Sequence, residues 1–179
     1  MIAAALDHGA AVILFIILQV GAYMAVAYQP MRLPHDQLLE VIKLTPLVSI
    51  DLVLRDQESR ILMGKRNNEP AKGFWFVPGG RIYKDEKLKD ALCRICQTEL
   101  GPNISPDSFS FREVYEHLYD TNFAEESDVS THYIVLAYEA VTHMPDLVRS
   151  DDQHSEMKWF SETEAIKDAA VHANSRAYF

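Results

Sequence analysis

The stretch that decides the fold is residues 79–101, which read GGRIYKDEKLKDALCRICQTELG. A strong turn signal, Pro-Gly-Gly at 78–80, opens it. Apolar side chains at helical spacing then predict a helix over 87–100, with Asp85 placed to cap it and Gly101 placed to end it. A turn that delivers a helix brings backbone carbonyls and helix side chains around one point.

The segments around this stretch alternate between strand and helix patterns. In chain order they predict a helix at 36–44, strands at 46–54 and 61–66, a short apolar run at 74–80, the helix at 87–100, strands at 110–120, 131–141 and 156–161, a helix at 162–170 and a helical turn at 172–179. Strands separated by one central helix and followed by another predict an α+β fold. In that fold a mixed β-sheet is sandwiched between α-helices.

The composition excludes several classes of protein. The 179 residues fit one domain better than two, and 48% hydrophobic residues exclude a mainly disordered chain. A net charge of −9 disfavours non-specific contact with nucleic acid, so no nucleic-acid partner is expected. Two cysteines cannot make a disulfide-rich scaffold or a complete structural zinc site. These numbers describe a soluble, acidic domain of intracellular type, and we expect the catalytic domain to lie in the cytoplasm, whether or not the chain is anchored to a membrane.

The first thirty residues differ from the rest of the chain. Residues 10–27 are almost wholly apolar and approach the ~20 residues that cross a bilayer as a helix. Residues 1–30 contain no Lys or Arg, unlike an ordinary secretory signal. A membrane anchor, an atypical signal and a translated upstream extension all remain open. We therefore expect an apolar extension at 1–30 and a catalytic domain at 31–179, with a membrane as partner only if 10–27 form a genuine anchor.

The deciding stretch also has the chemistry of a cation site. A glycine ahead of the helix lets the main chain approach an ion closely, because it has no Cβ. Glu99 supplies the kind of oxygen ligand that Mg²⁺ prefers, with positions left for substrate phosphates and water. Arg94 is placed to pair with a nearby carboxylate and fix the geometry between loop and helix.

This spacing resembles the signature box of the Nudix hydrolases, Mg²⁺-dependent enzymes that act on nucleoside diphosphates linked to another group. Ile95 and Thr98 stand where the family has two further glutamates. Because positions 95, 98 and 99 share one helix face, the chain presents one carboxylate there instead of three, which predicts a single cation. The box positions that match are Gly80, Glu86, Arg94, Glu99 and Gly101.

The same two losses occur in one branch of the family, the GDP-mannose mannosyl hydrolases, and the resemblance runs from 31 to 179. It includes TPLVSID, GKR, FWFVPGGR, EHLYDTNF, THYIVLAY, DDQH and VHANSRAYF. It implies hydrolysis of GDP-mannose, with GDP-glucose as a second candidate substrate, to GDP and free sugar. Water would attack the anomeric carbon with inversion. The resemblance further implies one Mg²⁺ per subunit, with Mn²⁺ as an alternative, and a homodimer.

Carried over residue by residue, the resemblance implies a complete site. The cation ligands would be the Gly79 carbonyl, the Glu99 carboxylate and the Gln153 side-chain oxygen, and the general base would be His154 on the same loop as Gln153. Arg66 and Arg81 would stabilise the departing diphosphate. The branch has an aromatic residue at the position of Arg32. The substrate-binding set would be Arg32, Leu33, Leu38, Asp51, Arg66, Arg81, His117 and Tyr133.

Two other functions fit the same residues. A Nudix pyrophosphatase would cut the phosphoanhydride of GDP-mannose to GMP and mannose 1-phosphate. A catalytically silent sensor, tethered to a membrane by residues 10–27, would bind the nucleotide sugar without turnover. The products formed from GDP-mannose separate the three hypotheses.

Overall fold

The computed structural model describes residues 32–143 and 154–179. The predictions for residues 1–30 and for Gln153 lie outside these ranges. Within them no helix is both long and apolar enough to cross a membrane. The helices and strands are α1 (His35–Leu44), β1 (Leu47–Arg55), β2 (Ile61–Arg66), β3 (Trp75–Phe76), β4 (Gly79–Arg81), α2 (Leu88–Leu100), β5 (Ser110–Tyr119), β6 (Thr131–Val141), β7 (His154–Phe160), α3 (Glu162–Lys167) and α4 (Ala173–Arg176), with a 3₁₀ turn at Pro106–Ser108.

The strands form one mixed sheet in the order β3-β2-β1-β6-β5, with β4 beside β1 and β7 beside β2. β1 and β6 are parallel, and the other pairs are antiparallel. β1 pairs with β2 next to the hairpin turn, at Arg55 and Ile61, whereas its first half pairs with β4. This second pairing sets Asp51 opposite Gly79 and brings the box to the middle of the sheet.

The sheet has a buried core on each face, as strand alternation requires. On one face Ile50, Leu52 and Leu54 of β1 pack with α2. On the other face Val53 belongs to a second buried cluster, which includes a residue of β7 and Tyr178. The prediction of an α+β fold with a mixed sheet between helices is thereby confirmed. Asp51 has the same parity as Val53 and therefore faces the second layer.

Three local predictions were wrong. Asp85 does not cap α2: it has a positive φ of 63° and pairs with Lys84, while Lys87 occupies the N-cap position without a side-chain cap. α3 ends at Lys167 rather than at 170. β7 begins at His154 rather than at 156. Its first residues are polar and show no strand pattern, but they pair with β2, where His154 lies opposite Arg66.

Candidate active site

A cleft of about 610 Å³ lies where α1, β1, β4, α2, β5 and β6 meet. That volume is typical of a small-molecule site. Three of the described residues predicted for the site lie outside the lining, namely Glu86, Gly101 and His154. Those that line the cleft are Arg32, Leu33, Leu38, Asp51, Arg66, Gly79, Gly80, Arg81, Arg94, Glu99, His117 and Tyr133.

Glu86 and Arg94 form the structural part of the box. Arg94 donates from Nε to Glu86 Oε1 and from Nη2 to Oε2, each at 2.7 Å, and from Nη2 to the Arg81 carbonyl at 2.8 Å. The Tyr83 amide donates to Glu86 Oε2 at 2.9 Å. The Glu86 side chain is only 1% exposed, and its bonds with Arg94 lower its pKa in spite of burial. This pair fixes the loop that carries Arg81.

Gly79 and Glu99 form the part of the box that faces the cleft. A Cβ on Gly79 would lie 2.6 Å from the Ile50 carbonyl oxygen and 2.7 Å from Asp51 Oδ1. Only glycine fits such a close approach between β4 and β1. Glu99 is buried at the wall of the cleft, where its Oε2 lies 3.8 Å from His154 Nδ1.

Ile95 and Thr98, which stand where the family has two further glutamates, line the cleft together with Glu99. These two positions therefore present no carboxylate to the cleft. Ile95 is buried against Gly80, where a Cβ on the glycine would lie 3.2 Å from Ile95 Cγ1. Within residues 32–143 and 154–179, no cluster of three or more His, Cys, Asp or Glu side chains is arranged to hold a metal.

A single divalent cation fits the donors that remain. The Glu99 carboxylate and the main-chain carbonyl of Gly79 offer hard oxygen donors, and both residues line the cleft. Mg²⁺ is commonly held by one or two carboxylates together with substrate phosphates and water. Gln153, the third predicted ligand, lies outside the described residues. The donor set therefore suits Mg²⁺ or Mn²⁺ rather than a soft metal.

His154 is the first residue of β7 and lies opposite Arg66 of β2, which corrects its expected place in a loop. Its imidazole is buried directly over Gly64: a Cβ there would lie 2.2 Å from His154 Cδ2 and 2.8 Å from Nε2. The ring does not line the cleft but contacts its wall through Glu99. The predicted base therefore neighbours the predicted metal ligand without lining the cleft itself.

Two buried polar atoms at the cleft, Arg66 Nε and His117 Nε2, have no hydrogen-bond partner among the described residues. The Arg66 guanidinium lies 5.9 Å from the centre of the Phe76 ring. His117 is 3% exposed, and burial, with a contribution from His172, lowers its pKa to about 4. At neutral pH its imidazole is uncharged. Since buried polar groups are nearly always satisfied, these two atoms indicate a polar ligand in the cleft.

Asp51 is the buried carboxylate on the sheet side of the cleft. It accepts a hydrogen bond of 2.7 Å from the Tyr178 hydroxyl. Burial raises the pKa of Asp51 to about 7, and the Tyr178 bond and the Arg66 charge act in the opposite direction. Tyr133 lines the same region, and burial raises its pKa as well.

Sequence reasoning missed Tyr119 and Tyr178. Tyr119 lines the cleft, with its ring 6.4 Å from that of His117 and 6.2 Å from that of Tyr133. The period of two along β5 puts it on the same face as His117, so the alternation carried a signal for it. Nothing in the local sequence connects Tyr178 with Asp51, because 127 residues separate them.

The fold and this site define the class of protein. The family model described as "NUDIX domain" matches residues 45–179. The chain therefore belongs to the Nudix family. Nudix hydrolases act on nucleoside diphosphate derivatives and generally use a divalent metal such as Mg²⁺ or Mn²⁺.

Particular relatives narrow the comparison. The chain is 45% identical over 129 residues, 72% of its length and 80% of the relative's, to the low-salt glycan biosynthesis protein Agl8 of Haloferax volcanii. A MutT protein from Methanosarcina mazei Go1 is 18% identical, with a TM-score of 0.56 over 75% of this chain and 91% of that one. A MutT NUDIX hydrolase from Burkholderia pseudomallei is 22% identical, with a TM-score of 0.52 over 74% and 95%. The two structures establish the shared fold.

Proposed function

We propose that this protein hydrolyses GDP-mannose to GDP and free mannose, by attack of water at the anomeric carbon with inversion. The observation that carries the proposal is the cleft wall at α2, where Glu99 is accompanied by Ile95 and Thr98 in place of two glutamates. This altered box resembles that of the GDP-mannose mannosyl hydrolases. The glycan-related name of the Haloferax relative supports a nucleotide-sugar substrate. GDP-glucose is the second candidate substrate.

The two arginines of the cleft suit a diphosphate leaving group. Arg66 and Arg81 both line it, and Arg66 Nε is a buried donor without a partner among the described residues. Guanidinium groups stabilise charge that grows on GDP as the glycosidic bond breaks, so the leaving oxygen needs no proton. Gly79, Glu99 and Gln153 would hold Mg²⁺, which supplies further neutralisation of the diphosphate when bound.

Activation of water is assigned to His154. A neutral imidazole suits a general base at physiological pH. Proton transfer needs a contact of about 2.6–3.2 Å with the attacking water, whereas the ring in this structure does not line the cleft. We therefore expect the imidazole to move towards the cleft when the nucleotide sugar binds.

The sugar and the nucleotide are assigned to two neighbouring sets of cleft residues, since Tyr133 and Leu33 both pack against the cluster that contains Leu38. Asp51, His117 and Tyr133 would surround the hexose and the adjoining phosphate. The segment at the start of α1 would contact the nucleotide through Arg32, Leu33 and Leu38, all of which line the cleft. The polar atom of His117 that lacks a partner suits a sugar hydroxyl.

Product analysis tests this proposal. GDP-mannose is incubated with the protein and Mg²⁺, and the products are separated by chromatography, with a chelator-treated sample as control. GDP and mannose are expected, whereas GMP and mannose 1-phosphate would establish the pyrophosphatase. In ¹⁸O-water the label should appear in mannose, and label in GDP would contradict attack on carbon. Binding without either set of products would favour the sensor.

A cytoplasmic homodimer is part of the proposal. Three exposed apolar side chains lie on one face of the sheet: Val48 is 44%, Val114 51% and Leu118 67% exposed. The pairing register of β1, β5 and β6 places all three on the same face. An apolar patch of this kind marks an association surface, and sedimentation measures whether two copies associate. Mass spectrometry of the natural N-terminus tests whether residues 1–30 are present.

A further inference from the structure

Tyr178 links the last helical turn of the described chain to the wall of the cleft. Its side chain is 0% exposed, and its hydroxyl donates to Asp51 Oδ2 at 2.7 Å. A hydrogen bond of 2.7 Å between a hydroxyl and a carboxyl group is short, and it is strengthened by the low dielectric of a buried site. Asp51 lines the cleft, so this bond joins the protein interior to a group that faces the substrate.

The backbone of Tyr178 is held by a charged cluster on the sheet. Its carbonyl accepts hydrogen bonds from Arg55 Nη2 at 2.7 Å and from Arg112 Nη1 at 2.8 Å. Both guanidinium groups also contact Glu139 Oε1, at 2.6 Å and 3.4 Å. Strands β1, β5 and β6 therefore fix the position of this residue from the side away from Asp51.

The ring and the carboxylate are also confined by their neighbours. The Tyr178 ring meets the Tyr115 ring edge to face at a centroid distance of 4.8 Å. Asp51 Oδ1 lies 2.7 Å from the point where a Cβ on Gly79 would stand. Asp51 Oδ2 is thus hydrogen-bonded to Tyr178, and Asp51 Oδ1 lies against the turn that carries Gly79, the predicted cation ligand.

We propose that Tyr178 is a positioning residue: its hydroxyl holds the Asp51 carboxylate in the orientation that meets the hexose of GDP-mannose. This role rests on the proposed function, since it takes Asp51 as a sugar contact. The terminal torsion of an aspartate is intrinsically broad, so a carboxylate without this donor samples several orientations. Orientation of a binding group matters most in the transition state, where misplacement costs rate.

The test compares Tyr178→Phe with Tyr115→Phe, which removes a hydroxyl from the same ring pair without touching Asp51. Tyr178→Phe should lower kcat/KM for GDP-mannose about tenfold, whereas Tyr115→Phe should leave it nearly unchanged. Calorimetry without turnover, in the absence of divalent metal, provides a second measurement. Tyr178→Phe should weaken binding of GDP-mannose while leaving that of GDP unchanged. Urea unfolding of both variants shows whether stability changes.

A double-substitution cycle separates positioning from mere packing. If Tyr178 acts through Asp51, adding Tyr178→Phe to Asp51→Asn should cause little further loss of kcat/KM. Should Tyr178→Phe not fold, Arg112→Met loosens the same residue from its carbonyl side. It should give a smaller loss that is likewise absent in the Asp51→Asn background.

Two outcomes would overturn the role of Tyr178 while leaving the proposed function intact: equal activities of Tyr178→Phe and Tyr115→Phe, or full losses that add in the double variant. If wild-type protein forms no GDP and mannose, the proposed function itself fails, and the role of Tyr178 fails with it.

Discussion

The two sides of the cleft are built differently. The box side, residues 79–101, is local in sequence, and Glu86 and Arg94 satisfy each other only eight residues apart. The sheet side is assembled from distant strands and keeps two buried polar atoms, Arg66 Nε and His117 Nε2, without partners among the described residues. A self-paired cluster stabilises the fold, whereas unsatisfied groups await a ligand. Substitutions on the box side should therefore affect stability first, and those on the sheet side turnover first.

The largest effect is expected at His154, the β7 residue that contacts the cleft wall through Glu99. His154→Gln should lower kcat for GDP-mannose by about 10²–10⁴, with only a modest loss of GDP affinity, because general-base catalysis is removed while the nucleotide contacts stay. Steady-state kinetics and calorimetry with GDP measure the two quantities. A nearly unchanged kcat would assign the base to another group.

On the box side, Arg94→Met should lower the free energy of unfolding by about 3 kcal/mol at pH 7, since it leaves the buried Glu86 carboxylate with the Tyr83 amide but without its charged partner. Lys89→Met is the matched control, because its contact with Asp107 is exposed and should contribute little. Urea unfolding measures both variants. An equal, small loss in the two would contradict the structural role of the Glu86–Arg94 pair.

The same pair predicts a pH dependence. Arg94 lowers the folded-state pKa of Glu86. Glu86 therefore contributes to stability above its unfolded pKa of about 4.3, and this contribution is lost as the pH falls through the lower folded-state pKa. In Arg94→Met the buried carboxylate favours its protonated form. The difference in stability between wild type and variant should therefore shrink between pH 7 and pH 3, and a constant difference would contradict this explanation.

A smaller effect is expected for Gly64→Ala, which tests whether overpacking between the strands also destabilises the sheet. The added methyl group would overlap the His154 ring and should destabilise the protein by about 2 kcal/mol. The NMR signals of the imidazole should shift. Gly73→Ala is the control for the ring contact alone: its positive φ of 81° strains an alanine, but its Cβ would meet nothing within 4 Å, so the His154 signals should stay in place. Unmoved signals in Gly64→Ala would contradict the contact.

The smallest effect is expected for Glu99→Gln, which changes the predicted metal ligand among the box residues that line the cleft. It should weaken Mg²⁺ binding about tenfold, because an amide oxygen replaces the carboxylate ligand. Titration of activity against Mg²⁺ measures this, with unfolding experiments alongside. An unaltered dependence on Mg²⁺ would reject Glu99 as a ligand. Glu99 would then no longer be an exception to the expectation that box-side substitutions affect stability first.

Local patterns predicted most elements to within two residues. The α2 pattern was reliable because apolar positions recur at helical spacing, and it ends at Gly101 as expected. The start of β7 was missed because its first residues are polar, and only pairing with β2 makes them a strand. The expected capping role of Asp85 failed because its own backbone turns with a positive φ two residues before the N-cap.

The sequence alone determined the fold class, the box spacing and the loss of two carboxylates at 95 and 98, because these depend on residues close together along the chain. Tertiary structure decided the placement of His154 over Gly64 and the bond between Tyr178 and Asp51. Contacts between segments far apart in sequence depend on strand register and on packing between layers. Neither is encoded in local periodicity, so these contacts emerge only when the sheet is assembled.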